Sequence, residues 1–468
     1  MNGLGRTILF FISGIAVLFI TAGCSGGGGG GGGGASAGAA VVGWGGSGLA
    51  PSITSVSPVS ASMVGGDTLT VNGSNFIPGV TVTVGTASCN KINVSSTAQL
   101  TCVLSSSTAP GAYDVVVNNP IVNQSARLAA GFSYYGFLYV SDESGAAVSA
   151  FQVNPSNGNL TELSGSPYTV GSTPYGVVAT ANRKFLYVAN YGDGTISGFS
   201  INSSTGQLTA IPGSPFSDGA GADAAVVSGP NDKYLYICHY GSPAQVGQMT
   251  INPSTGALSS PVLISTTGQN CGGIIWEPTQ RFLYAANWSS NNVTAYSMNS
   301  STGALTMIGV YDVGASPDGI NLDASGTYVV TGGGNSNATG VQAINSSTGA
   351  LTSVPGSPFA TPANINSSGV AVSPNNAYVV ASNQSSSSVS IFSFNPSTGV
   401  LSNRNDVNIV GGTNPNSLIM DTTGQFVYST NTASNNLSLF TLNQTTGTLT
   451  YQQNFNTGAF PAIAWFLK

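Results

Sequence analysis

The chain has a single histidine, His239, and neither a second histidine nor a Cys/Asp cluster at zinc or calcium spacing accompanies it. No metal and no cofactor is expected on that pattern, and His239 reads as a structural residue rather than a catalytic one. Glu143 and Glu277 are the other weak candidates for activating water. A second chemistry is more coherent. Tyr191, Tyr240 and Trp288 directly follow Asn190, His239 and Asn287 in three successive segments, while Tyr175, Asp223, Asp318 and Asn416 open other segments of the same repeat. Aromatic rings offer flat apolar area, and acids and amides beside them fix orientation, which suits sugars or other neutral, hydroxyl-rich ligands. Ordinary packing between loops is the competing reading of the same residues.

The elements that position these side chains come from an internal repeat. A "FLYVAN"-like strand begins at Phe137, Phe185, Tyr234, Phe282, Tyr328, Tyr378 and Phe426, at spacings of 48, 49, 48, 46, 50 and 48 residues. An "NPSTGAL"-like turn keeps pace and places Gly158, Gly206, Gly256, Gly303, Gly349, Gly399 and Gly447 where a hairpin needs positive φ. Each unit holds four short strands, as in "PYGVVATA", "FLYVANY", "TISGFSI" and "QLTAIPG", and four strands per period of 40–50 residues indicate a propeller blade. The expected fold is all-β, with a seven-bladed propeller over residues 136–468. The array opens on a second strand and the chain ends on "FPAIAWFL", which matches an innermost strand. Blade one is therefore expected to be closed by strands from both ends, leaving no open edge.

On this frame His239 takes the strand-end position held elsewhere by Asn190, Asn287, Asn383 and Asn431. The aromatic and polar residues named above share one face of the ring. Cys238 ends one strand and Cys271 starts the next blade's inner strand, so the two form a disulfide or remain two buried thiols.

Residues 50–135 read as a small immunoglobulin-like sandwich, with alternating apolar residues broken by Gly and Pro. Cys89 and Cys102 fall within it and are expected to pair. The runs "GGDTLTVNGSNF" and "PGAYDVVVNN" and the closing "FSYY" resemble the IPT/TIG domain, a resemblance that implies a spacer or interaction module.

The "FLYVAN...STG.L" repeat resembles the YVTN-type propellers of microbial surface proteins and the wider lactonase-like family that includes 6-phosphogluconolactonases. In the enzyme members an inner strand carries a "GPRH" run. The best-aligned segment here is Cys271-Gly-Gly-Ile-Ile-Trp-Glu-Pro278, with Gly272 and Gly273 in place of Arg and His. The acid that follows a second strand in those members survives only as Glu143, which reads as a solvated turn residue. The resemblance implies a lactone hydrolase, and the departures point to a non-catalytic binding module.

Nine basic residues against fifteen acidic ones exclude a nucleic-acid partner and disfavour phosphorylated ligands. Arg6 and the apolar run Ile8 to Ile20 form a signal peptide over residues 1–23, too short to span a membrane. Thr21-Ala22-Gly23 before Cys24 resemble a bacterial lipobox, with Thr21 where Leu is usual; Ala35-Ser36-Ala37 is an alternative cleavage site. Lipidation of Cys24 would anchor an exported lipoprotein at the outer membrane or cell surface, with residues 24–49, nine consecutive glycines among them, as a flexible tether. The partner is then an unknown surface ligand, carbohydrate or protein.

Overall fold

The computed structural model describes residues 49–467, apart from 108–109, 121–122, 222, 266–267, 315, 335–336 and 362–367. The signal peptide, Cys24 and nearly all of the tether lie outside the described residues.

Two sheets form the N-terminal sandwich. One orders Ser52–Ser57, Thr68–Ser74, Gln99–Val103 and Asn90–Ser96; the other places Gly111–Asn119 between Thr81–Val84 and the long strand Gln124–Asp142. Leu69, Val71, Phe76, Leu100, Val115, Val117, Phe132 and Tyr134 fill the space between them. Cys89 is bonded to Cys102, with a Cα–Cα distance of 5.6 Å.

The rest is a ring of seven antiparallel blades, each built on four main strands, with a further two-residue strand in blades one, two and five. Blade one takes its inner strand, Pro461–Phe466, from the chain terminus and pairs it with the second half of Gln124–Asp142, followed by Ala147–Val153 and Leu160–Glu162. The inner strands of blades two to seven are Pro174–Ala179, Asp223–Ser228, Cys271–Trp276, Pro317–Leu322, Val370–Val372 and Pro415–Met420. Gln124–Asp142 serves both domains as one continuous strand, so the junction at 135/136 falls inside a strand and has no linker.

Packing between blades explains why the two repeat markers stay in phase. The first aromatic of each "FLY" strand packs on the turn glycine of the following blade; a Cβ at Gly256 would overlap Phe185, one at Gly349 Phe282, and one at Gly158 Phe426. In five blades the third residue is a buried tyrosine whose hydroxyl donates to that same glycine's carbonyl, as in Tyr187 to Gly256 at 2.7 Å and Tyr236 to Gly303 at 2.6 Å. A glycine is thus required both for its positive φ, +72° to +75° at these turns, and for the room it leaves.

Candidate functional site

At one end of the ring the inner strands carry bulges. The pairing slips between Pro174 and Val177, Cys271 and Gly273, Pro317 and Gly319, and Pro415 and Leu418. Tyr175, Gly272, Asp318 and Asn416 are therefore residues released from the ladder, and a bulge re-aims the side chain it releases. These bulges surround a small hollow of about 50 Å³ at the mouth of the central channel, lined by Tyr175, Gly272, Asp318, Ser368, Asn416 and Ile463 among others.

Tyr175 of blade two is hydrogen-bonded to the Asn416 side chain of blade seven. The Asn416 Oδ1 also accepts from Gln384 Nε2 of blade six at 2.9 Å. Asp318 of blade five bonds Ser368, and burial holds its carboxyl above the usual carboxylate range. The Asp318 charge, with burial second, pushes the Tyr175 hydroxyl well up.

The residue following each second strand forms an outer circle around this mouth, one per blade: Glu143, Tyr191, Tyr240, Trp288, Gly334, Gln384 and Thr432. The three aromatics make a continuous row. Tyr191 and Tyr240 meet edge to face at 5.9 Å, and Tyr240 lies 6.4 Å from Trp288 at a 34° tilt. Tyr191 is 38% exposed, and the other two are half-buried. Gly334 completes the row's approach to the mouth, because a side chain there would press on the Trp288 indole nitrogen (2.7 Å) and on Asp318 (3.3 Å). Tyr240 is bonded to Asn270, and burial raises its hydroxyl.

Six of the seven residues read from the sequence as ligand-binding thus stand together. Asp223 begins the inner strand of blade three opposite His239, and its side chain lies outside the described residues. Glu143 corrects an expectation. It is half-buried rather than a solvated turn residue, burial pushes its carboxyl up, and its charge acts on Tyr175.

Glu277 sits at the far end of blade four, away from the mouth. Its carboxylate accepts from the backbone N–H groups of Thr279 (2.7 Å) and Arg281 (2.8 Å) and from the Thr279 hydroxyl. Burial alone would raise it, but these bonds hold its pKa below the usual value. Asp323 and Asp421 staple the same turn in blades five and seven. Glu277 is thus engaged within its own turn, apart from the residues gathered at the mouth.

His239 has an equally structural setting. In other blades the Asn at this position donates to the third strand, as Asn190 does to Thr195 and Ser197, both at 3.0 Å, and Asn383 to Ser388 and Ser390 at 3.0 and 2.9 Å. In blade three, Gly247 takes the place corresponding to Ser197 and leaves room for the larger imidazole, and Nδ1 lies 3.8 Å from Asp218 Oδ2. Burial lowers the pKa of His239 against the pull of Asp218, which keeps the ring neutral at physiological pH.

Gly272 and Gly273 fill a packing role that the sequence did not reveal. A Cβ at Gly272 would lie 2.9 Å from Asp318 Oδ1, and one at Gly273 would lie 2.9 Å from the Asp318 carbonyl. An Arg-His pair has no room there while Asp318 holds its place. Cys238 and Cys271 are bonded, 5.7 Å apart at Cα, which ties blade three to the start of this strand. Gln384, Ser368, Asn270 and Gly334 were not read from the sequence, although Gln384 and Gly334 occupy the same repeat position as the three aromatics. Among the described residues, no group of three His, Cys, Asp or Glu is arranged to hold a metal.

Fold and site together define a seven-bladed propeller with an aromatic-lined, acidic mouth and an immunoglobulin-like sandwich at its N-terminus. The chain belongs to the lactonase family of seven-bladed β-propellers, whose model matches residues 132–211, 199–365 and 354–465, and residues 51–134 match the IPT/TIG domain. Similar solved structures include a candidate 6-phosphogluconolactonase of Bacteroides uniformis (16% identity, TM-score 0.64, covering 71% of this chain and 99% of that one). The periplasmic gluconolactonase of Pseudomonas aeruginosa is 17% identical with a TM-score of 0.61, covering 71% and 98%. A Lactobacillus plantarum protein is 18% identical with a TM-score of 0.60, covering 71% and 100%. At these identities the likeness is one of fold. No protein with a curated function matches the sequence.

Proposed function

We propose that this chain is a non-catalytic binding module for a neutral, hydroxyl-rich ligand, displayed by an exported lipoprotein anchored through Cys24 at the outer membrane or cell surface. The observation that carries the reading is the row Tyr191–Tyr240–Trp288 running into a mouth that holds two carboxyls, Glu143 and Asp318. No Lys, Arg or His lines the mouth among the described residues, so a phosphorylated or carboxylated ligand meets repulsion without compensation. Rings of this kind pack on sugar faces, and Asn416, Gln384 and Tyr175 supply polar groups to orient hydroxyls.

The test is a glycan-binding screen of the full chain, followed by the variant Tyr191→Ala/Tyr240→Ala/Trp288→Ala. Binding that vanishes in the triple variant, with its melting temperature held, supports the proposal. Binding that survives it removes the aromatic row from the site.

A lactone hydrolase is the second reading, favoured by family membership and by the raised Asp318 carboxyl beside Tyr175. It predicts turnover of an uncharged lactone that is lost in Asp318→Asn. 6-Phosphogluconolactone, being anionic, is expected to remain unhydrolysed.

A further inference from the structure

Beneath the mouth the channel opens to a volume of about 450 Å³. That is the size of a small-molecule pocket, for which roughly 300–1,000 Å³ is usual. Its walls are mostly apolar between Asp318 at the mouth and the polar residues Asn321, Asp421 and Thr422 toward the other end. Val227, Ile275, Ile320, Val372, Ile419, Ile463 and Trp465 line it, contributed by six of the seven blades. Each is only half-buried, whereas the second strands beside them, such as Phe185–Asn190 and Phe426–Asn431, are buried throughout. The channel wall thus keeps a continuous strip of partly exposed apolar side chains.

The mouth and the channel share Gly272, Asp318, Gly319, Gly369, Ser417 and Ile463 as common wall, so they form one continuous space. Tyr175 lines only the outer part, where its bond to Asn416 crosses from blade two to blade seven. The lining of both parts contains no cation among the described residues, while Asp318 stands where they join. An aliphatic chain in this channel would exchange apolar wall and chain from water to mutual contact, and an anionic head would be turned away at Asp318.

We infer that the channel receives the single aliphatic chain of an uncharged amphiphile whose hydroxyl-rich head rests on the mouth and the aromatic row. This rests on the reading of the mouth as a binding site and names the class of its ligand. Tyr175 is then a positioning residue at the boundary between head and chain.

The experiment titrates the full chain with n-alkyl β-glucosides of two to ten carbons, below their micelle concentrations, following Trp fluorescence. Affinity should rise with chain length by up to roughly fourfold per methylene, the equivalent of about 0.8 kcal/mol per buried CH₂, until the channel is filled. Decanoate should bind at least tenfold more weakly than the decyl glucoside. Ile320→Trp should fill the channel and abolish the chain-length dependence; Ile419→Ser, a smaller change, should weaken it if the first variant does not fold. Glucosides that bind with no chain-length dependence would sink the channel proposal and leave the sugar-binding reading standing. Equal affinity for decanoate and decyl glucoside, unchanged when the three rings are removed, would instead overturn the uncharged head and with it the reading of the mouth. Absence of binding by every glucoside overturns the amphiphile.

Discussion

The hydroxyl of Tyr428 donates to the carbonyl of Gly158 at 2.6 Å, across 270 residues of sequence, and so joins blade seven to blade one. It is the ring-closing copy of the bond that Tyr139, Tyr187, Tyr236 and Tyr284 make to the next blade's turn glycine. Tyr428→Phe keeps the ring packed and leaves the Gly158 carbonyl without this donor, which costs about 1–2 kcal/mol. Urea unfolding should show that loss as a lower midpoint at unchanged slope. An equal loss for Tyr187→Phe would mean that closure is energetically one blade contact among seven; a larger loss for Tyr428→Phe would mark closure as the weak seam.

Asp142 is the acid counterpart of the strand-end asparagines, fully buried, with Oδ2 accepting from Ser149 Oγ at 2.6 Å. Burial pushes its pKa up to about 7, against the bonds from Ser149 and Gly458. Below the unfolded value near 4 both states are protonated and no penalty arises. As pH rises toward 7 the unfolded chain ionises while the folded one does not, so stability falls, and above 7 the full penalty remains. Asp142→Asn should therefore stabilise by on the order of 4 kcal/mol at pH 8 and by little at pH 4. Melting curves at the two pH values decide it; an equal gain at both would mean that ionisation of Asp142 is not the cause.

Much of the architecture was legible because each blade must offer its neighbour the same aromatic and the same turn glycine, which stamps a period on the sequence. The grouping of Tyr175, Asp318 and Asn416 followed from that period, since strand starts in a ring share a face. Two features were hidden. Gly272 reads as a missing functional group until the close approach of Asp318 shows it as required space. The channel was also illegible, because inner-strand residues such as Ile320 look like any core aliphatic, and bulges decide which of them face the axis. The continuity of Gln124–Asp142 through both domains escaped notice because each half matches its own domain's pattern.

Exchange of His239 for Asn in combination with Gly247→Ser would recreate the arrangement seen in blade two, where Asn190 bonds Ser197. The double variant should fold with stability within about 1 kcal/mol of the parent, as expected where one hydrogen-bonded packing replaces another. Ligand binding should be unchanged. Loss of binding in a variant that melts like the parent would return His239 to the candidate site.

Glu277→Ala should cost about 1–3 kcal/mol, because the Thr279 and Arg281 N–H groups lose their acceptor in a partly buried turn. Binding at the mouth should be untouched, since the turn lies at the other end of the blade. A variant of parental stability that no longer binds or turns over ligand would contradict the turn assignment.

The sandwich is attached at the end of the ring opposite the mouth. Arg183, in the turn after the inner strand of blade two, donates from its guanidinium to the carbonyls of Met63 at 3.2 Å and Ser107 at 3.3 Å, and burial lowers its pKa. Tyr135 Oη adds a bond to the Ser204 carbonyl at 3.1 Å, and Gly136 packs between Met63 and Phe466. With a shared strand and a half-buried cation between them, the two domains should unfold together in calorimetry, although each has its own core. Arg183→Ala removes both charge-assisted bonds while leaving the strand intact, so it should split the endotherm or broaden it and expose the junction to protease. Deleting residues 50–135 goes further by cutting Gln124–Asp142 in mid-strand; the propeller should still fold on its seven interblade cores but melt below the full chain. A deletion that leaves the propeller's melting temperature unchanged, together with an Arg183→Ala protein that keeps one sharp transition, would show that the sandwich is an independent spacer and that the contacts at Arg183 do not couple it to the ring.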